Sequence, residues 1–97
     1  MPEPILDDAS EAATGTITSN TASLLSFTNK KRTVIINNRS GQTAYFKFND
    51  AASPTVSNTA YDVALSDGGA MTMDTVNVAN VSVYVAATSG IRVVGWK

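Results

Sequence analysis

From Thr14 onward the chain consists of short runs rich in β-branched and aromatic residues, interrupted by Asn, Asp, Gly, Ser and Pro, with no helical period in any comparable window. Branched and aromatic side chains suit the pleated, half-buried surface of a sheet, and the interrupting residues tolerate tight turns. The pattern predicts strands over Gly15–Thr18, Ser23–Thr28, Arg32–Asn37, Thr43–Asn49, Ala60–Leu65, Ala70–Val78, Val81–Ala87 and Ile91–Trp96. Strands spaced by about 8–12 residues indicate a sandwich or barrel. The expected fold is therefore all-β, an antiparallel β-sandwich of about 7–8 short strands, jelly-roll or immunoglobulin-like, over residues 14–97.

The turns carry their own chemistry. Asn37-Asn38-Arg39-Ser40-Gly41 places residues that accept positive φ between two apolar runs, the signature of a hairpin, and Thr88-Ser89-Gly90 repeats it before the last strand. Ser66-Asp67-Gly68-Gly69 reads as a glycine turn, and Asn49–Pro54 as a longer loop. Because successive strand residues face opposite sides, Val81, Val83 and Val85 should share an inner face, as should Ile91, Val93 and Gly95. Ala44, Phe46 and Phe48 point inward by the same rule, with Tyr45 outward beside Lys47. Several outer positions are also apolar, among them Tyr84, Val94 and Trp96, which signals a second contact. Val34 and Ile36 flank Ile35, so that strand is apolar on both faces and should be central.

Residues 1–13 read differently. Pro2 and Pro4 disfavour a helix start before Ile5, and Glu3, Asp7, Asp8 and Glu11 make the segment acidic, so it is expected as an extended N-terminal arm with room for one helical turn over Asp7–Ala13. Ile5 and Leu6 are its only large apolar members after Met1 and need somewhere to bury. The start has no basic region and no long apolar run, so no signal peptide or membrane span is expected and synthesis should be cytoplasmic.

A chain of 97 residues hides only about 60–70% of its unfolded surface on folding. With no Cys and no His, it lacks disulfides and zinc as staples, which leaves oligomerisation or docking as the remaining support. Seven basic and eight acidic residues give a net charge of −1, which supplies no field for nucleic acid. Only 15% of residues are charged, a low figure that suits a surface largely covered by partners.

The same absences bear on chemistry. Without His or Cys, the commonest general base and the Ser-His-Asp and Cys-His arrangements cannot be built. A carboxylate pair would have to come from Asp62, Asp67 and Asp74, while Asp50 and Asp67 fall in turns where Asp bonds local backbone. No enzyme activity, metal or cofactor is expected. Asn38-Arg39-Ser40 and Asn80-Val81-Ser82 match the glycosylation acceptor pattern, which carries no weight without a secretory signal. Lys30-Lys31-Arg32 reads as a solvated loop at a strand entrance, or else as a contact for an acidic partner such as a neighbour's arm. Tyr45, Tyr61, Tyr84 and Trp96 suit a core, a subunit interface or a sugar-stacking platform. The candidate interface residues are Pro2, Pro4, Ile5, Leu6, Tyr45, Tyr84 and Trp96.

The stretch Arg32-Thr33-Val34-Ile35-Ile36-Asn37-Asn38-Arg39-Ser40-Gly41-Gln42-Thr43-Ala44-Tyr45-Phe46-Lys47-Phe48, with the closing Ser89-Gly90-Ile91-Arg92-Val93-Val94-Gly95-Trp96, resembles small β-sandwich virion proteins of tailed bacteriophages. The resemblance runs from Lys31 to the end and is one of style. It implies a capsid decoration, or cement, protein on the capsid surface that bridges subunits of the major capsid protein, forms a small oligomer, a trimer first, and binds neither nucleic acid nor membrane. It carries no catalytic residues. The alternative is a carbohydrate- or receptor-binding sandwich of a phage tail or fibre.

Overall fold

The computed structural model describes residues 10–74 and 76–97. Its elements are β1 (Glu11–Ala12), β2 (Ser23–Lys31), β3 (Thr33–Asn38), β4 (Ala44–Phe48), β5 (Val63–Leu65), β6 (Ala70–Met73), β7 (Val78–Tyr84) and β8 (Ile91–Trp96). They form two four-stranded sheets of order β1-β8-β3-β6 and β2-β7-β4-β5. The antiparallel pairs β1·β8, β2·β7, β3·β6 and β4·β5 make one long folded ribbon, and the pairs β3·β8 and β4·β7 roll it into a sandwich. This is jelly-roll order. An immunoglobulin-like arrangement would place the first two strands side by side in one sheet; here β1 and β2 lie in different sheets.

The core lies between the sheets and comes from alternating positions of β2, β3, β4, β7 and β8. Val34, Ile36, Ala44, Phe46, Val81 and Val83 are fully buried, with Val85 and Val93 nearly so. Phe48 and Ile91 pack at its margin. β3 is central in its sheet, between β8 and β6, which is why Val34 and Ile36 are buried and Ile35, on the other face, is half-buried.

Jelly-roll winding corrects the two hairpins expected from the turns. Asn38–Gly41 leads from β3 in one sheet to β4 in the other, and Thr88–Gly90 likewise leads from β7 to β8. Turn-forming residues mark a reversal or a corner equally well, and only the pairing partners distinguish the two. Ser66–Gly69, between β5 and β6, is a third crossing of this kind. All three meet at one end: Asn38 N donates to Gly69 O (2.9 Å), Gly68 N to Asn38 O (2.6 Å), Arg39 N to Gly90 O (2.7 Å) and Gly41 N to Asp67 Oδ1 (2.9 Å). Gly90 has φ +92°, and a Cβ there would lie 2.5 Å from Arg39 O, so this crowded junction requires glycine.

Other boundaries moved for the same reason. The run Ala70–Val78 is cut into β6 and the start of β7, because the chain changes sheet between Met73 and Val78. No strand forms over Gly15–Thr18; that segment carries the chain from β1 to β2, turning where Thr21 N donates to Thr18 O and where the buried Ser23 Oγ accepts from Thr18 N. Pairing begins earlier, at Glu11↔Gly95 and Ala12↔Val94, and continues through the Thr14↔Ser26 bridge. The last residues of the expected arm thus belong to the sandwich, and Glu11–Ala12 is strand, not helical turn. β5 starts at Val63 instead of Ala60, because Ser57 and Ala60 close a turn on each other.

Candidate functional site

The loop from Asn49 to Asp62 does not stand away from the molecule. It lies on the outer face of the β2-β7-β4-β5 sheet and is anchored by Asp50. The Asp50 carboxylate accepts from Ser82 Oγ (2.7 Å), Ala51 N (2.8 Å), Thr55 N (2.9 Å) and Thr55 Oγ1 (3.0 Å). Ser82, an outward residue of β7, is fully buried beneath this loop, and Val56 of the loop is itself buried, at 2% exposure. Asp50 thus bonds local backbone, as turn chemistry suggests, and also locks the loop to the sheet. Desolvation alone would raise its pKa, but hydrogen bonds from Ser82, Thr55 and Ala51 outweigh that and hold it at about 2, below the ordinary 3.8. Its stabilisation is complete above about pH 3.8 and is lost as pH falls towards 2, because the unfolded chain takes up the proton first. Urea unfolding from neutral pH down to roughly pH 2 should show a loss on the order of 1–2 kcal/mol that Asp50→Asn removes.

Asp62, Asp67 and Asp74 each bond a different part of the backbone or a different side chain. Asp62 Oδ2 accepts from Phe48 N (3.0 Å), Asp67 Oδ1 from Gly41 N, and Asp74 Oδ1 from Thr33 Oγ1 (3.0 Å). These anchor the β4–β5 connection, the three-way corner and the end of β6 respectively. Among the described residues no group of three acidic, His or Cys side chains is placed to hold a metal. Of the two glycosylation-pattern asparagines, Asn38 is fully buried and Asn80 exchanges hydrogen bonds with the backbone of Asp50.

The basic run divides: Lys30 and Arg32 are exposed, as expected, and only Lys31 departs from that reading. Lys31 is 3% exposed, not solvated, and its ammonium lies 2.8 Å from Glu11 Oε1 and 5.6 Å from the Phe27 ring centroid. Glu11 also accepts from Thr28 N and Thr28 Oγ1. The acidic partner of Lys31 is therefore in its own chain, and the pair fastens β1 to β2. No local pattern in the sequence shows this pair, because Glu11 and Lys31 meet only where β1 pairs with β8 and residues 11–14 are bonded to β2 at Thr28 and Ser26.

The candidate interface residues separate into two faces. Tyr45 and Tyr84 are direct register partners on outward positions of β4 and β7. Their ring centroids lie 6.5 Å apart, and Tyr61, 45% exposed, stacks 5.0 Å from Tyr45. Trp96 is on the other sheet, half-buried on an outward position of β8 beside Thr33. There a row of register partners, Ala12, Val94, Ile35 and Thr72, crosses all four strands of that sheet. Pro2, Pro4, Ile5 and Leu6 lie outside the described residues.

Fold and surface together define a jelly-roll sandwich with an aromatic cluster on one outer face and an apolar row on the other. No family model, no curated protein and no solved structure matches the chain.

Proposed function

We propose that this chain is a structural virion protein, a capsid decoration or cement subunit of a tailed phage that stabilises the head by bridging capsid subunits. The observation that carries the reading is the outer face of the β1-β8-β3-β6 sheet. Val94, Ile35 and Trp96 stand there on outward positions, and the same sheet contains β1, the strand into which residues 1–9 lead. Glu11 pairs with Gly95, so the arm joins the sandwich beside Trp96. Arm and apolar face then work as one surface against the major capsid protein, with Ile5 and Leu6 as further anchors. Such a subunit shifts the equilibrium towards the assembled shell simply by binding it, without catalysis.

Charge supports self-association on the shell. A recess of about 360 Å³ at the crossing end of this sheet is lined by Asn37, Arg39, Gly90, Ile91 and Arg92. Its two guanidinium groups complement the acidic arm of a neighbouring copy, with Glu3, Asp7 and Asp8 as the matching groups. A closed trimer would satisfy each arm in turn.

Deleting residues 1–9 is the direct test, since it spares β1 and the Glu11–Lys31 pair. The truncated chain should unfold within about 0.5 kcal/mol of the full chain. Its occupancy on purified particles, measured by quantitative mass spectrometry, should fall by roughly tenfold or more, equivalent to at least about 1.4 kcal/mol of binding. Full occupancy of the truncated chain would remove the arm from the mechanism. A full chain missing from purified particles would overturn the reading itself.

A further inference from the structure

We infer that the outer face of the β2-β7-β4-β5 sheet holds a binding site for a neutral saccharide, centred on Tyr45 and Tyr84 with Tyr61 extending it. This site is on the opposite sheet from the capsid-facing surface proposed above, and the inference stands independently of that proposal.

The site is a recess of about 260 Å³ at the crossing end of the sandwich, lined by Asn20, Gln42, Thr43, Tyr45, Asn58 and Tyr84 among others. Four separate stretches of chain build it: the β1–β2 connection, the exit of the β3–β4 corner, the Ser57–Ala60 turn and the end of β7. Each is fixed by bonds other than those of the lining side chains. Asn20 N donates to Val85 O (2.8 Å), Gln42 N to Ser40 Oγ (3.2 Å), and the Ser57–Ala60 turn closes on itself. Asn20 also holds a left-handed backbone with φ 55°, a conformation that costs energy outside glycine and places it at the rim of the recess.

The chemistry of the lining selects the ligand. Pyranose rings present a face of C–H groups edged by hydroxyls that both donate and accept. Tyrosine rings offer the matching apolar faces, and amides and phenols offer both donors and acceptors. The side-chain amides of Gln42 and Asn58 and the phenols of Tyr45, Tyr61 and Tyr84 have no hydrogen-bond partner among the described residues, so all are available to a ligand. No charged side chain lines the recess, which argues against phosphate, sialic acid or nucleic acid and for a neutral sugar. The volume lies just below the range of about 300–1,000 Å³ usual for small-molecule sites. It suits one ring of a longer glycan, with the next ring running over the exposed Tyr61. The tilt of 49° between Tyr45 and Tyr61 makes a bent platform, which fits a chain that turns between successive rings better than a flat one.

Titration of the ¹⁵N-labelled full chain with maltohexaose, cellohexaose, hexa-N-acetylchitohexaose and mannohexaose tests the proposal. At least one neutral hexasaccharide should shift the amide signals of Gln42, Thr43, Tyr45, Tyr84 and Ala86, with the Trp96 indole signal unmoved. Tyr61→Ala and Gln42→Ala, both at exposed positions where folding is not at stake, should each weaken binding by about tenfold, the equivalent of about 1.4 kcal/mol. Trp96→Ala should leave affinity unchanged. Absence of shifts with all four sugars at millimolar concentration would overturn the inference. So would shifts confined to Trp96 and its sheet, or affinity that survives both Tyr61→Ala and Gln42→Ala.

Discussion

An Asn38→Ala chain is expected to lose about 3–4 kcal/mol of folding stability, a large share of what a domain of this size possesses. Asn38 is the last residue of β3 and is fully buried. Its Nδ2 donates to Gln42 O (2.7 Å) and to Leu65 O (2.8 Å), and its Oδ1 accepts from Ser40 N (3.0 Å) and Ser40 Oγ (2.7 Å). One side chain therefore ties the β3–β4 crossing to the end of β5, at the corner where the β5–β6 and β7–β8 crossings also meet. Alanine would leave Leu65 O without this donor, Gln42 O with Ser40 Oγ alone (3.1 Å) and Ser40 N without its acceptor, and the cost of an unmade bond exceeds the gain of a made one. In thermal unfolding the loss corresponds to roughly 15–25 °C in Tm. Asn38→Asp should be worse than Ala, because it sets a carboxylate against two carbonyl oxygens at a fully buried position. A loss below about 1 kcal/mol for Asn38→Ala would mean that the backbone bonds alone hold the corner.

The Lys31 latch should be similarly sensitive, through Gly95, the residue that pairs with Glu11 across β1 and β8. A Cβ on Gly95 would fall on Lys31 Cγ and lie 2.9 Å from both Lys31 Cβ and Phe27 Cζ. Lys31 has little room to yield, since its stem is buried and its ammonium is held by Glu11. Gly95→Ala should therefore cost about 2–3 kcal/mol by overpacking, and hydrogen exchange should show protection of Glu11 to Thr14 collapsing before that of the core. Lys31→Met, which keeps an unbranched apolar stem and discards the charge, should cost less than Gly95→Ala. The latch also has a pH signature. The Lys31 ammonium, its largest influence, together with Thr28 N and Oγ1, holds the Glu11 carboxyl below its ordinary value of 4.5 in spite of partial desolvation. The contribution of Glu11 is complete above about pH 4.5 and weakens as pH falls through its lowered folded value, so β1 should loosen in acid. Exchange of the β1 amides at neutral pH and at roughly pH 3 would show this, and the difference should shrink in Lys31→Met, where only the Thr28 bonds remain to hold the carboxyl low. Equal protection at both pH values in the parent chain would remove Glu11 as the fastening group.

Much of the architecture could be read from residue order. The alternation Val81-Val83-Val85 and Ala44-Phe46 identified inward faces that the structure bears out, and the doubly apolar run around Ile35 marked a central strand. Such patterns survive because the period of side-chain direction in a strand is a local property of the backbone. The candidate sites were less legible. Tyr45 and Tyr84 drew notice as outward aromatics, but their pairing, and the turn that brings Asn58 beside them, depend on a register between residues about forty positions apart. The amides of Asn20, Gln42 and Asn58 carried no signal at all, since polar residues in turns are ordinary until folding converges them. Trp96, grouped with the tyrosines by chemistry, proved to belong to the opposite sheet.

By itself, then, the sequence determined the class of structure: an all-β sandwich of short strands, with inward faces assigned for the strands around Val34, Phe46, Val83 and Val93 and neither Cys nor His to supply chemistry. Only the tertiary structure decided that Asn38–Gly41 and Thr88–Gly90 are corners between sheets, that Lys31 is buried against Glu11, and that jelly-roll order holds. The reason is that turn propensity and strand pattern are set within a few residues, whereas the choice of which strand pairs with which is made by long-range burial and hydrogen bonding. Glu11 with Lys31, and Asn38 with Leu65, are partners that no local pattern could reveal.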